Sequence, residues 1–104
     1  MAYNDNIKRY DSQVVDGTLK PLGYAQDTTI SAASPLPSIP TGARIALITV
    51  TGAAARWTDD GSTPTATVGV PLAVDINFWY NGSLSAFQII QVTTTAILNV
   101  SYYA

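Results

Sequence analysis

The chain contains no histidine and no cysteine. The first absence removes the commonest general acid and base together with the commonest neutral metal ligand. The second removes disulfides and thiolate metal sites, and leaves the redox compartment unread. Charge is scarce as well, at 12% of 104 residues, against about a quarter in an ordinary soluble domain. The seven acidic residues are all aspartates, and with five basic ones they give a net charge of −2. That balance argues against a nucleic-acid binder that works by neutralising phosphates. No apolar run approaches membrane-spanning length, and the segment from Met1 to Tyr10 lacks the apolar stretch of a signal peptide. Synthesis in the cytoplasm is the expectation.

Catalytic patterns are missing too. There is no G-x-S-x-G, and the two lysines that would have to activate a serine, Lys8 and Lys20, both fall near the N-terminus. The glycines are scattered singly rather than gathered into a phosphate loop. Asp59 and Asp60 form the only adjacent carboxylate pair, but neighbours in a turn more often cap it or face solvent than hold a cation. The expectation is a protein that is not an enzyme and uses no cofactor and no metal.

What is present is organised in two parts. Seven of the twelve charges lie in residues 1–27, and the remainder are Arg44, Arg56, Asp59, Asp60 and Asp75. Residues 1–26 show no sustained period and read as an extended N-terminal arm with spaced apolar anchors, among them Tyr3, Tyr10, Leu22 and Tyr24. Such an arm folds back on its own domain or reaches another subunit. Residues 27–104 read as a single β-sandwich of about eight short strands with frequent turn signals, jelly-roll-like, immunoglobulin-like or closed into a small barrel.

Within that body a strand is expected at 27–33, then a rigid loop where Pro35, Pro37 and Pro40 exclude a central strand. The stretch from Arg44 to Thr51 is apolar on both parities, the pattern of a strand covered on both faces. Further strands are expected at 53–58, 65–68, 70–74, 76–80, 84–93 and 96–103. Asp60-Gly61 supplies a tight turn, Gly69 and Pro71 mark a bulge or sheet edge, and Asn81-Gly82 predicts a hairpin. In Phe78-Trp79-Tyr80 the side chains must alternate, so Trp79 points away from its neighbours, and Tyr102-Tyr103 repeats the arrangement. An exposed ring stacks on a sugar or fills a pocket on a protein partner, whereas a buried one only completes the core.

The segments Arg56-Trp-Thr-Asp-Asp-Gly-Ser-Thr-Pro-Thr-Ala-Thr-Val-Gly-Val-Pro-Leu72 and Leu98-Asn-Val-Ser-Tyr-Tyr103 resemble small proteins encoded in the structural gene clusters of tailed bacteriophages. The resemblance covers residues 44–103 and leaves out the arm. It implies a virion structural protein, a capsid decoration or cement protein on the outside of the shell, or else a neck, head-fibre or tail accessory protein with a carbohydrate-binding sandwich. The implied partners are the major capsid protein or other virion proteins and further copies of the chain, a trimer being one arrangement. Neither nucleic acid nor membrane is expected as a partner, and the implied location is the virion. No catalytic residue is carried over, and Arg56 with Asp60 is expected to act as a local pair shaping the turn.

Overall fold

The computed structural model describes residues 19–104. Eight strands form two four-stranded antiparallel sheets packed into a β-sandwich, with one short 3-10 turn at Leu84–Ala86. Sheet A has the order β1-β8-β3-β6, built from β1 (Pro21–Asp27), β8 (Ile97–Tyr103), β3 (Ile45–Thr51) and β6 (Phe78–Tyr80). Sheet B has the order β2-β7-β4-β5, from β2 (Ser34–Pro35), β7 (Gln88–Gln91), β4 (Ala55–Thr58) and β5 (Val70–Leu72). The sheets share no strand, so the body is an open sandwich and not a closed barrel.

Alternation along the long strands builds the core. In β3 and β8 every second residue is buried, so Ala46, Ile48 and Val50 with Leu98, Val100 and Tyr102 line the inner side of sheet A. They meet Ala55, Leu72, Phe87 and Ile89 from sheet B and its approach in one continuous cluster. Each fully buried aliphatic or aromatic side chain there contributes roughly 1.5–3 kcal/mol by leaving water. Trp57 anchors the aromatic part, stacked on Phe87 at 5.1 Å and lying 5.2 Å from Phe78 and 5.7 Å from Tyr80.

Several expectations need correction. The sandwich begins before residue 27: Pro21–Asp27 is a strand paired with β8, so Leu22 and Tyr24 belong to the body and not to an arm. Leu22 packs against the core cluster. Residues 28–33 form no strand, and only Ser34–Pro35 pairs there, with β7. Residues 65–68 close a tight turn in which Thr65 and Val68 exchange backbone hydrogen bonds.

Asn81-Gly82 does not make a hairpin, because β6 lies in sheet A and β7 in sheet B. The chain crosses between sheets here, as it does between β7 and β8. The Tyr80 ring explains Gly82, since a Cβ at that position would collide with the Tyr80 hydroxyl and ring edge. Of the sequential strand pairs, only β4 and β5 stay neighbours in one sheet. Pro71 sits in β5, the outermost strand of sheet B, where its missing N–H costs no ladder bond.

Candidate functional site

The outer sides of the two sheets differ. On β4 Trp57 points into the core, so Arg56 points outward. Its guanidinium donates from Nε to the Ala66 carbonyl at 3.3 Å and from Nη1 to the Gly69 carbonyl at 2.9 Å. The Thr58 hydroxyl donates to the Ser62 carbonyl at 2.7 Å, and Pro64 is fully buried. The connection 59–69 therefore folds back onto β4 and is held there by side-chain-to-backbone bonds.

Asp60 does not pair with Arg56, contrary to expectation. Its Oδ1 accepts from the Ser62 N–H at 3.0 Å and from the Ser62 hydroxyl, and these bonds hold the carboxyl below its usual range. Gly61 takes a φ of +91°, the left-handed turn geometry that Asp-Gly announces, and Gly69 takes +137°. A Cβ on Gly69 would also stand 3.1 Å from the Arg56 Cβ. Asp59 turns elsewhere and accepts the Tyr80 hydroxyl at 2.7 Å. Burial first, and then this carboxylate, push the Tyr80 phenol up to about 12. The two carboxylates thus face separate partners, and among the described residues no group of three acidic side chains gathers as a metal site would require.

The outer face of sheet A is half-buried along β3 and β8 and exposed at its edges on β1 and β6. The register places Tyr24, Ser101, Leu47 and Trp79 in one row across all four strands. Trp79 is 53% exposed and Tyr24 63% exposed, so a ring stands at each end of that row. Trp79 lies 5.4 Å from Tyr103, with the rings inclined at 48°. A neighbouring row is polar: Asn99 Oδ1 accepts from the Tyr24 hydroxyl at 2.8 Å and from Gln26 Nε2 at 3.0 Å, and the Thr49 hydroxyl donates to Asn77 Oδ1 at 2.9 Å. Ile45 and Ile97 complete the face. A groove of about 430 Å³ opens beside Trp79, lined also by Leu19, Ile45, Tyr80 and Asn81. No charged side chain belongs to this face within the paired rows.

Of the expected contact residues, Trp79, Tyr103 and Tyr24 come together on this face. Tyr102 does not, being 1% exposed and pointing into the core. Its hydroxyl donates to the Pro37 carbonyl and burial pushes the phenol up to about 12, so Tyr102 tethers the proline-rich loop to β8. Tyr3 and Tyr10 lie outside the described residues. Sequence reading missed Leu47, Ser101, Asn99 and Thr49. The apolar parity of β3 signals Leu47, which is half-buried among the described residues; Ser101 and Asn99 on β8 and Thr49 on β3 are polar and join it only through the register.

No family model, curated protein or solved structure matches this chain.

Proposed function

We propose that the chain is a non-enzymatic structural subunit of a tailed-phage virion, a decoration or cement protein that binds the outside of the capsid and stabilises it. The observation that carries the reading is the uncharged aromatic face of sheet A. Interface cores are depleted of charge and enriched in Tyr and Trp, and truncation of such rings gives the largest losses of binding energy. The resemblance of residues 56–72 and 98–103 to small phage structural proteins supplies the virion context. Many identical weak contacts on a symmetric shell sum to a large stabilisation without any chemistry. The major capsid protein is the partner this reading requires.

Electron cryomicroscopy of purified full-length protein mixed with empty capsids tests it. The expected result is ordered density for a β-sandwich of this size on the shell, with capsids that disassemble at higher temperature than bare ones. Capsids that carry no added density and melt unchanged would remove the reading.

The ring pair Trp79 and Tyr103 favours one second reading, an accessory virion protein that binds neutral carbohydrate, because two inclined rings beside the Asn81 amide offer a stacking platform with a hydrogen-bonding edge. A glycan array separates the two: binding that disappears in Trp79→Ala would favour this alternative.

A further inference from the structure

We propose that Asn81 is a site of spontaneous covalent modification, at which the main-chain nitrogen of Gly82 attacks the Asn81 side-chain amide and converts the residue through a cyclic imide into aspartate or isoaspartate. The proposal goes beyond the assembly reading and does not depend on it.

The reaction needs an accessible amide, an unshielded nitrogen in the next residue, and a backbone free to bring the two together. Gly82 follows Asn81, so no side chain shields the attacking nitrogen. Among the described residues, 81–83 are all exposed. The segment joins β6 in sheet A to the 3-10 turn before β7 in sheet B, so no ladder clamps it from both sides as a hairpin would. Among the described residues the Gly82 N–H donates to no turn or loop carbonyl. The bonds that hold this crossing start from the Tyr80 hydroxyl, which donates to Asp59 Oδ2 at 2.7 Å and to the Ser83 carbonyl at 3.2 Å. The Asn81 amide takes no part in them and lies on the rim of the groove beside Trp79.

The comparable positions are guarded. Asn77 Oδ1 accepts the Thr49 hydroxyl at 2.9 Å, and the bulky Phe78 follows it. Asn99 is held within β8, accepts from Tyr24 and Gln26, and precedes Val100, whose branched side chain crowds the nitrogen. Asp60-Gly61 has the glycine, but the Ser62 N–H and hydroxyl hold the Asp60 carboxylate and keep it ionised, a form that resists attack.

The steps balance with water as the only co-reactant. The Gly82 nitrogen gives up its proton and bonds to Asn81 Cγ, the Cγ–Nδ2 bond breaks, and ammonia leaves with a proton. Water then opens the imide. Cleavage at Cγ gives aspartate, and cleavage at the main-chain carbonyl gives isoaspartate. Either product adds one negative charge to a chain of net charge −2 and places it beside Trp79 on a face whose paired rows carry none. Isoaspartate also lengthens the main chain next to Gly82, where the Tyr80 ring leaves no room even for a Cβ.

Peptide mapping by mass spectrometry of the full folded chain, incubated in neutral buffer and in mild alkali, is the test. Gly82→Ala would collide with Tyr80, so Asn81→Gln, which keeps the amide but needs a larger ring, serves as the blocked variant. Asn81 is expected to convert ahead of Asn77 and Asn99, severalfold faster in mild alkali because the attacking nitrogen must lose its proton. The product should include isoaspartate, detected by enzymatic methylation of its carboxylate, and more acidic species should appear on anion exchange in the wild type but not in Asn81→Gln. Asn81 unchanged while Asn77 or Asn99 converts, aspartate formed with no isoaspartate, or the same acidic species arising equally fast in Asn81→Gln would overturn the assignment.

Discussion

The two sheets have similar inner sides and opposite outer ones. Sheet B spends its one long hairpin connection, residues 59–69, on covering itself, with Arg56 as the fastener. Sheet A has no such covering connection among the described residues, and Trp79 and Tyr24 stand exposed at the ends of an uncharged row. The two tryptophans express the same division, Trp57 locked among Phe78, Tyr80 and Phe87 and Trp79 half in solvent. Tyr24 and Trp79 are the exposed rings of sheet A, whereas the exposed apolar residues beside sheet B, Val68 and Val70, are aliphatic.

The comparison is sharpened most by exchanging the tryptophans one at a time. Trp57→Ala is expected to lower stability by roughly 3–5 kcal/mol in urea denaturation, since it empties the middle of the aromatic cluster. Alkaline pH should come next. Tyr80 and Tyr102, both on the inner side of sheet A, have phenols raised from 10.0 to about 12. Above pH 10 the unfolded chain releases protons that the folded chain retains, so stability is full below that point and falls as pH climbs towards 12. Two shifts of this size amount to a few kcal/mol, and unfolding should begin together with the phenolate absorbance rise.

Smaller effects probe the fastener. Arg56→Ala leaves the Ala66 and Gly69 carbonyls without their donor and should cost about 1–3 kcal/mol, with new protease cleavage inside 59–69 as the local readout. The smallest change in stability belongs to Trp79→Ala, about 0.5 kcal/mol or less for the monomer. A large loss there, or none at Arg56, would break the division between a face fastened by its own chain and a face with exposed rings.

How much of this was legible in the sequence follows from the range of the signals. The all-β class, the strand over 45–51 and the outward Trp79 are local consequences of β-branched composition and alternation, and they are observed. Asp60-Gly61 announced its turn because glycine tolerates positive φ. Asn81-Gly82 misled for a related reason: the dipeptide marks a reversal, but whether the next strand pairs in the same sheet depends on distant partners, here β3 for β6 and β4 for β7. Tyr102 and Tyr103 are chemically alike, and only the register against Ala46 and Ile45 decides which is buried. Arg56 had an obvious partner in Asp60 by proximity, yet free carbonyls in a covering loop took its donors. The row from Tyr24 to Trp79 joins residues far apart in the chain, so no window of sequence contains it.

The most direct test of the account is hydroxyl-radical footprinting with mass-spectrometric readout, comparing the dilute free chain with the chain bound in its assembly. The account predicts that Trp79 and Tyr24 become protected on assembly, while Val68 and Val70, exposed beside sheet B, stay reactive. Unchanged labelling of Trp79 and Tyr24, with protection confined to Val68 and Val70, would contradict it.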